Sequence, residues 1–158
     1  MMVDVDPITL DINGRRRRFE ASATTTLLTV LREDAAITSP KRGCNQGVCG
    51  ACTVEVDGWP VRACLSLAAD CQGRAVKTIE GVGDAVTAAL QRQFVTHGAV
   101  QCGFCTSGMI VSARNLLQRS PGPTVDDVQR ALSGNICRCT GYRRIVDAVR
   151  AAAEELRA

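Results

Sequence analysis

A chain of 158 residues has room for one medium domain or two small ones, and with 46% apolar residues it can bury a core, although one Trp, one Tyr and three Phe leave that core poor in rings. The net charge of +3 is too small and too dispersed to suggest a nucleic-acid surface. No uncharged apolar run approaches the roughly 20 residues that a membrane span requires, so the unusual feature is the set of nine cysteines.

The N-terminal MMVDVDPITL carries aspartates where a signal peptide carries lysine or arginine. RRRRF at 15–19 superficially matches a twin-arginine signal, but the EASATTTLLTVLRED that follows is polar and then amphipathic. A cytoplasmic chain is therefore expected, where cysteines in such number serve more often as metal ligands than as disulfides. ITLDI and RRRRFEA flank Asn13-Gly14, a strong hairpin signal, and Ile8, Leu10 and Ile12 alternate like a half-buried strand. The arginine run reads as the solvated arm of that hairpin. TTTLLTVLRED predicts a short helix capped by Thr24 or Thr25. A second hairpin is predicted over Asp57-Gly58 and a last strand at AVKTIEG, giving a small mixed sheet with one helix across it.

From Gly81 the period becomes helical. DAVTAALQRQFVTHG, TSGMIVSARNLLQRS, TVDDVQRALSG and TGYRRIVDAVRAAAEEL each repeat apolar residues at helix spacing. Asp84, Thr106, Thr124 and Thr140 stand where N-caps belong, Gly134 where a helix would stop, and SPGP at 120–123 reads as a turn. The expectation is an α+β chain with a sheet domain over residues 1–80 and an all-α four-helix domain over 81–158.

Cys44, Cys49 and Cys52 share one loop with Gly43, Gly47 and Gly50, and Cys64 follows from the next hairpin. Glycine allows the tight wrap that would converge three thiolates, and C-x4-C-x2-C…C is the plant-type ferredoxin spacing for a [2Fe–2S] cluster. The rivals are a four-cysteine zinc site, which ordinarily uses two separated knuckles, a disulfide framework, which an odd cysteine count disfavours, and simple buried thiols, which have no need of glycines. In the second half, Cys102-x2-Cys105 and Cys137-x1-Cys139 each lead towards a predicted helix. Helix N-termini suit an anionic thiolate centre, but on spacing alone this set stays open between zinc and iron–sulfur. Cys71 reads as a small buried thiol, His97 as structural, Met109 as core, and Gln101 as an ordinary polar residue at a loop end. No G-x-G-x-x-G follows a strand, GVGDAV at 81–86 is a loop and cap, and no nucleophile–base–acid set stands out, so no catalytic residue is assigned.

GCNQGVCGACTVEVDG…C, then TIEG, QCGFCTSGM and GNICRCTGY, taken in that order over nearly the whole chain, resemble the small iron–sulfur subunit of the xanthine dehydrogenase family of molybdenum hydroxylases. The resemblance implies a β-grasp ferredoxin domain followed by a four-helix domain, each with one [2Fe–2S] cluster. It further implies a large partner subunit that oxidises substrate on a molybdopterin-type Mo cofactor, and a medium subunit bearing FAD or some other electron acceptor. Cys102, Cys105, Cys137 and Cys139 would then hold the cluster nearer the pterin, and Cys44, Cys49, Cys52 and Cys64 the one nearer the outlet. Gln101 matches the glutamine that hydrogen-bonds the pterin, and Cys139 the ligand that faces it. Ser107 departs from the family, which commonly has proline there. The implied role is an electron relay within an oxidoreductase. A free-standing two-cluster ferredoxin and a zinc-stabilised binding module are the alternatives.

Overall fold

Both anticipated hairpins close with two residues in the left-handed region: Asn13 and Gly14 have φ of 55° and 75°, Asp57 and Gly58 of 49° and 82°. Such turns match the right-handed twist of the strands they join. The computed structural model describes residues 5–158, and the part of the N-terminal reading that falls on residues 1–4 lies outside the described residues. Strand β1 (Val5–Ile12) pairs antiparallel with β2 (Arg15–Ser22), and β3 (Thr53–Val56) with β4 (Trp59–Arg62). Strand β5 (Ala75–Lys77) lies between the hairpins, parallel to β1 and antiparallel to β3, which gives the order β2-β1-β5-β3-β4.

One face of this mixed sheet is apolar because the alternation in β1 puts Ile8, Leu10 and Ile12 on it, all buried. Leu27, Leu28, Val30 and Leu31 cover that face from helix α1 (Leu27–Thr29), which widens over Val30–Asp34 into a looser turn. The cap of α1 is Thr26, whose hydroxyl accepts from Thr29 N at 3.2 Å, and not the expected Thr24 or Thr25. Thr25 accepts instead from Ser22 N and closes the preceding turn. Arg15 to Arg18 are exposed on the edge strand, as anticipated for a solvated arm.

The second half folds as four helices among the described residues: α2 (Ala85–Thr96), α3 (Thr106–Arg119), α4 (Val125–Leu132) and α5 (Arg143–Glu155). Leu90, Phe94, Met109, Leu117, Val128, Ile145 and Val149 make a second core, with Met109 fully buried as expected. Asp84 caps α2 and Thr124 caps α4, the latter in a reciprocal box with Asp127. The other two caps differ from expectation. Thr106 is the first residue of α3, behind Cys105, and α5 begins only at Arg143, behind Tyr142. His97 ends α2 with its ring against Gln93 O, a structural role, and Cys71 is buried in the first core.

The halves meet along β3 and α3. Arg114, 5% exposed, reaches from α3 to Glu55 on β3, 4% exposed, and to the Asp84 cap at 2.6 Å. Asn135, equally hidden, donates to Gly50 O at 3.0 Å and Thr53 Oγ1 at 3.2 Å and accepts from Ser112 Oγ. A Cβ added to Gly108 on α3 would sit 2.4 Å from Gly50 O. The main chains therefore touch where no side chain fits between them. Ser107 fastens the same joint by donating to Ser39 O at 2.6 Å, a bond proline could not make.

Candidate metal centre

Asn45, Gly47 and Gly50 adopt positive φ and wind residues 43–52 into a coil that turns main-chain N–H groups inward. Cys44 Sγ accepts from Cys49 N at 3.3 Å and Gln46 N at 3.5 Å. Those two N–H groups hold the Cys44 thiol at about 6, favouring the thiolate, the form that binds metal. The coil is tight enough that a Cβ on Gly43 would lie 2.9 Å from Cys49 Sγ. Cys52 and Cys64 are buried at the ends of β3 and β4, where burial first, and then the Cys64 thiol beside it, pushes Cys52 up to about 11.

In the helical half, Cys102 and Cys105 run directly into α3, while a three-residue turn separates Cys139 from α5. Cys102 and Cys139 are exposed with their sulfurs 3.6 Å apart, far beyond a disulfide bond, and all nine cysteines are free thiols. Burial, then the facing Cys137 thiol, pushes Cys105 up to about 12. Burial also pushes Cys137 up, yet the Thr140 hydroxyl and N–H and the Cys139 N–H outweigh it and hold that thiol below its ordinary value. The Cys102 thiol raises Cys139.

Thiols of the same half are neighbours: Cys44 lies beside Cys49, Cys64 and Cys49 both bear on Cys52, Cys102 lies beside Cys139, and Cys137 and Cys102 both bear on Cys105. Four thiols in each half are the number of protein sulfurs that a two-iron cluster takes. A cleft of about 210 Å³ between the halves is lined by Cys44 and Cys49 on one side and by Cys102, Cys105, Cys137 and Cys139 on the other. A larger groove of about 540 Å³ beside β1 holds no cysteine, and its Asp57 and Arg74 already pair at 2.7 Å.

Gln101 donates from Nε2 to Cys139 O at 3.1 Å, which ties it to the C-x-C turn. Thr140 and Tyr142 went unrecognised as site residues because each sits where a helix start was expected. Thr140 Oγ1 lies 3.1 Å from Cys137 Sγ, and the Tyr142 hydroxyl accepts from Cys137 N at 2.9 Å. Around the cysteines, Val48, Leu65, Phe104 and Ile136 are large apolar side chains left exposed.

Comparison with known proteins agrees with this geometry. A family model described as "2Fe-2S iron-sulfur cluster binding domain" matches residues 10–76, and one described as "[2Fe-2S] binding domain" matches 78–150. The nicotine 6-hydroxylase small subunit of Paenarthrobacter nicotinovorans is 51% identical over 142 residues, covering 90% of this chain and 86% of that one. The nicotinate dehydrogenase small FeS subunit of Eubacterium barkeri is 47% identical over 148 residues, covering 93% and 94%. Among solved structures, quinoline 2-oxidoreductase from Pseudomonas putida 86 contains a chain 44% identical, superposing with a TM-score of 0.89 over 97% of this chain and 96% of that one. Matched along both halves by iron–sulfur domains and over nearly its full length by such subunits, the chain belongs to the small iron–sulfur subunits of the xanthine dehydrogenase family of molybdenum hydroxylases.

Proposed function

We propose that this chain is the electron relay of a molybdenum-dependent oxidoreductase, connecting a molybdopterin-type Mo site on a large subunit with FAD on a medium subunit or with another acceptor. The substrate is oxidised on the partner, and this chain contributes no catalytic residue. Cys44, Cys49, Cys52 and Cys64 are the ligands of a first [2Fe–2S] cluster, and Cys102, Cys105, Cys137 and Cys139 those of a second. Such a cluster accepts one electron with little rearrangement. The observation that carries this reading is the gathering of eight cysteines four to each half, with six of them, Cys44, Cys49, Cys102, Cys105, Cys137 and Cys139, lining one cleft between the halves.

The chain's own residues hold the two quartets in series. Ile136 N, next to Cys137, donates to Cys49 O at 2.8 Å, so one hydrogen bond spans the main chains of the two sets. Exposed Cys102 and Cys139, with Gln101 bonded to the Cys139 carbonyl, support the helical quartet as the side that meets the pterin. The division into a β-grasp domain over 1–80 and a four-helix domain over 81–158 is supported by the two separate cores. A cytoplasmic setting fits the free thiols, and among the described residues no helix is long and apolar enough to cross a membrane. The apolar fringe of Val48, Leu65, Phe104 and Ile136 favours a subunit with a partner over a free-standing ferredoxin.

Anaerobic purification should yield roughly four irons per chain, a red-brown colour that bleaches on reduction, and a co-purifying large molybdenum polypeptide. Cys137→Ser should remove one of two electron-paramagnetic signals and spare the other. A colourless, iron-free protein would sink the proposal, and loss of both signals would overturn the ligand sets.

A further inference from the structure

The second quartet has a side-chain hydroxyl donor to one of its sulfurs, which Cys44 on the first loop lacks among its hydrogen bonds. On the first loop the donors to Cys44 Sγ are the N–H groups of Cys49 and Gln46, which belong to the main chain and survive any side-chain change. On the second, the main-chain N–H groups of Thr140 and Cys139 also face Cys137, and a side chain joins them: the Thr140 hydroxyl donates to Cys137 Sγ at 3.1 Å. Its direction is fixed by a neighbour: Tyr142 N donates to Thr140 Oγ1 at 3.2 Å, so the oxygen accepts there and its own hydrogen is left for the sulfur.

Tyr142 is held where it can do this. Its φ of 68° is a left-handed conformation that an aromatic residue keeps only under constraint. The constraint is its hydroxyl, which accepts from Cys137 N at 2.9 Å and donates to Asn135 O at 3.2 Å. Asn135 is in turn buried in the joint and bonded to Gly50 and Ser112. Thr140 is thus aimed at Cys137 by a chain of bonds that ends in the other half of the molecule.

We infer that Thr140 is a positioning residue that sets the reduction potential of the second cluster, its hydroxyl bond to Cys137 Sγ favouring the reduced state. The inference rests on the two-cluster reading above. Reduction adds one electron, and part of the added charge resides on the ligand sulfurs. A donor aimed at such a sulfur therefore gains more from the reduced state than from the oxidised one. No bond forms or breaks and no proton is transferred. The electron comes from the molybdenum side of the assembled enzyme, or from dithionite in the test. Cys137 is buried, so water does little to blunt the effect.

The experiment is a potentiometric measurement followed by electron-paramagnetic resonance on the assembled complex, comparing the unaltered protein with Thr140→Val and Thr140→Ser. Valine keeps the shape and removes the hydroxyl. It should shift the oxidised-to-reduced equilibrium of the second cluster about tenfold towards oxidised, a potential lower by about 59 mV for one electron. The first cluster should not move, and serine should keep the unaltered value. An unchanged potential in the valine variant, or equal shifts in both clusters, overturns the inference. Should valine cost the protein its iron, the unaltered protein exchanged into deuterium oxide should show a strongly coupled exchangeable hydron at the reduced second cluster. Its absence also overturns the inference. If the unaltered protein itself lacks two cluster signals, the two-cluster reading fails instead.

Discussion

Replacing Arg114 with methionine tests the joint between the halves. The arginine is 5% exposed and Glu55 is 4% exposed, and they pair directly, while a further nitrogen of the same guanidinium lies 2.6 Å from Asp84. Methionine fills most of the volume but leaves Glu55 charged, buried and without its partner. Breaking a buried pair from one side costs about 3–5 kcal/mol. For a chain of this size each kcal/mol moves the unfolding midpoint by roughly 2–4 °C, so a fall of about 6–20 °C is expected. The measurement is thermal unfolding of the iron-loaded chain under anaerobic conditions at a fixed scan rate, followed by far-ultraviolet circular dichroism and by visible absorbance. The double variant Arg114→Met/Glu55→Met supplies the control. With both charges gone nothing is stranded, and most of the loss should return, because an apolar substitute for a buried pair is often neutral. A single variant within about 2 °C of the parent would refute the reasoning, as would a double variant as unstable as the two single changes combined. Asp84 gives a second readout. Burial pushes its carboxyl up, but Arg114 and Thr87 outweigh this and hold it below the ordinary value. That lowered value stabilises the fold above the unfolded carboxylate range, and the benefit is lost as pH falls through the folded value. In Arg114→Met the loss should begin at higher pH.

Three further outcomes can be measured. Gly108→Ala, which places a Cβ 2.4 Å from Gly50 O, should destabilise the chain by about 1–3 kcal/mol, whereas Gly83→Ala, with open space around it, should stay within about 0.5 kcal/mol; equal effects on unfolding midpoints would remove the close-approach argument. The Thr124 hydroxyl and N–H hold the Asp127 carboxyl at about 2, so its support of α4 is complete above the ordinary carboxylate value of 3.8 and fades as pH falls towards 2; a carboxyl-carbon NMR titration giving an ordinary value would contradict the reciprocal cap. Gln101→Ala should lower the pterin content of the assembled enzyme while both paramagnetic signals persist, and unchanged pterin retention would strip Gln101 of that role.

What could be read from the sequence followed from how local the cause was. Asn13-Gly14 and Asp57-Gly58 were legible because a two-residue hairpin needs positive φ at both positions, a demand met inside the turn itself. The cysteine loop was legible for the same reason, through spacing and glycine. The caps at Thr106 and Thr140 were misread for different reasons: α3 takes in Thr106 as its first residue behind Cys105, while Thr140 stands three residues ahead of α5 with its hydroxyl on a cysteine. The Thr140 hydroxyl lies against Cys137 and Tyr142 N, and α5 begins only at Arg143. The placement of β5 between the hairpins depends on pairing residues such as Ile12 and Val76, far apart in sequence, and no periodicity encodes that. Arg114 gave no sign of itself: within TSGMIVSARNLLQRS it looks like any solvent-facing charge, and its burial follows from Glu55 on a strand of the other half. Ser107 likewise looked like a mere loss of proline until Ser39 appeared opposite it.

The close approach of Gly50 to Gly108, with Asn135 wedged beside them, bears on how such subunits can be recombined. A chimera that takes its sheet from one relative and its helices from another must inherit Gly50, Thr53, Glu55, Gly108, Arg114 and Asn135 as a single linkage group. Shuffled separately, each half brings a lock cut for someone else's key.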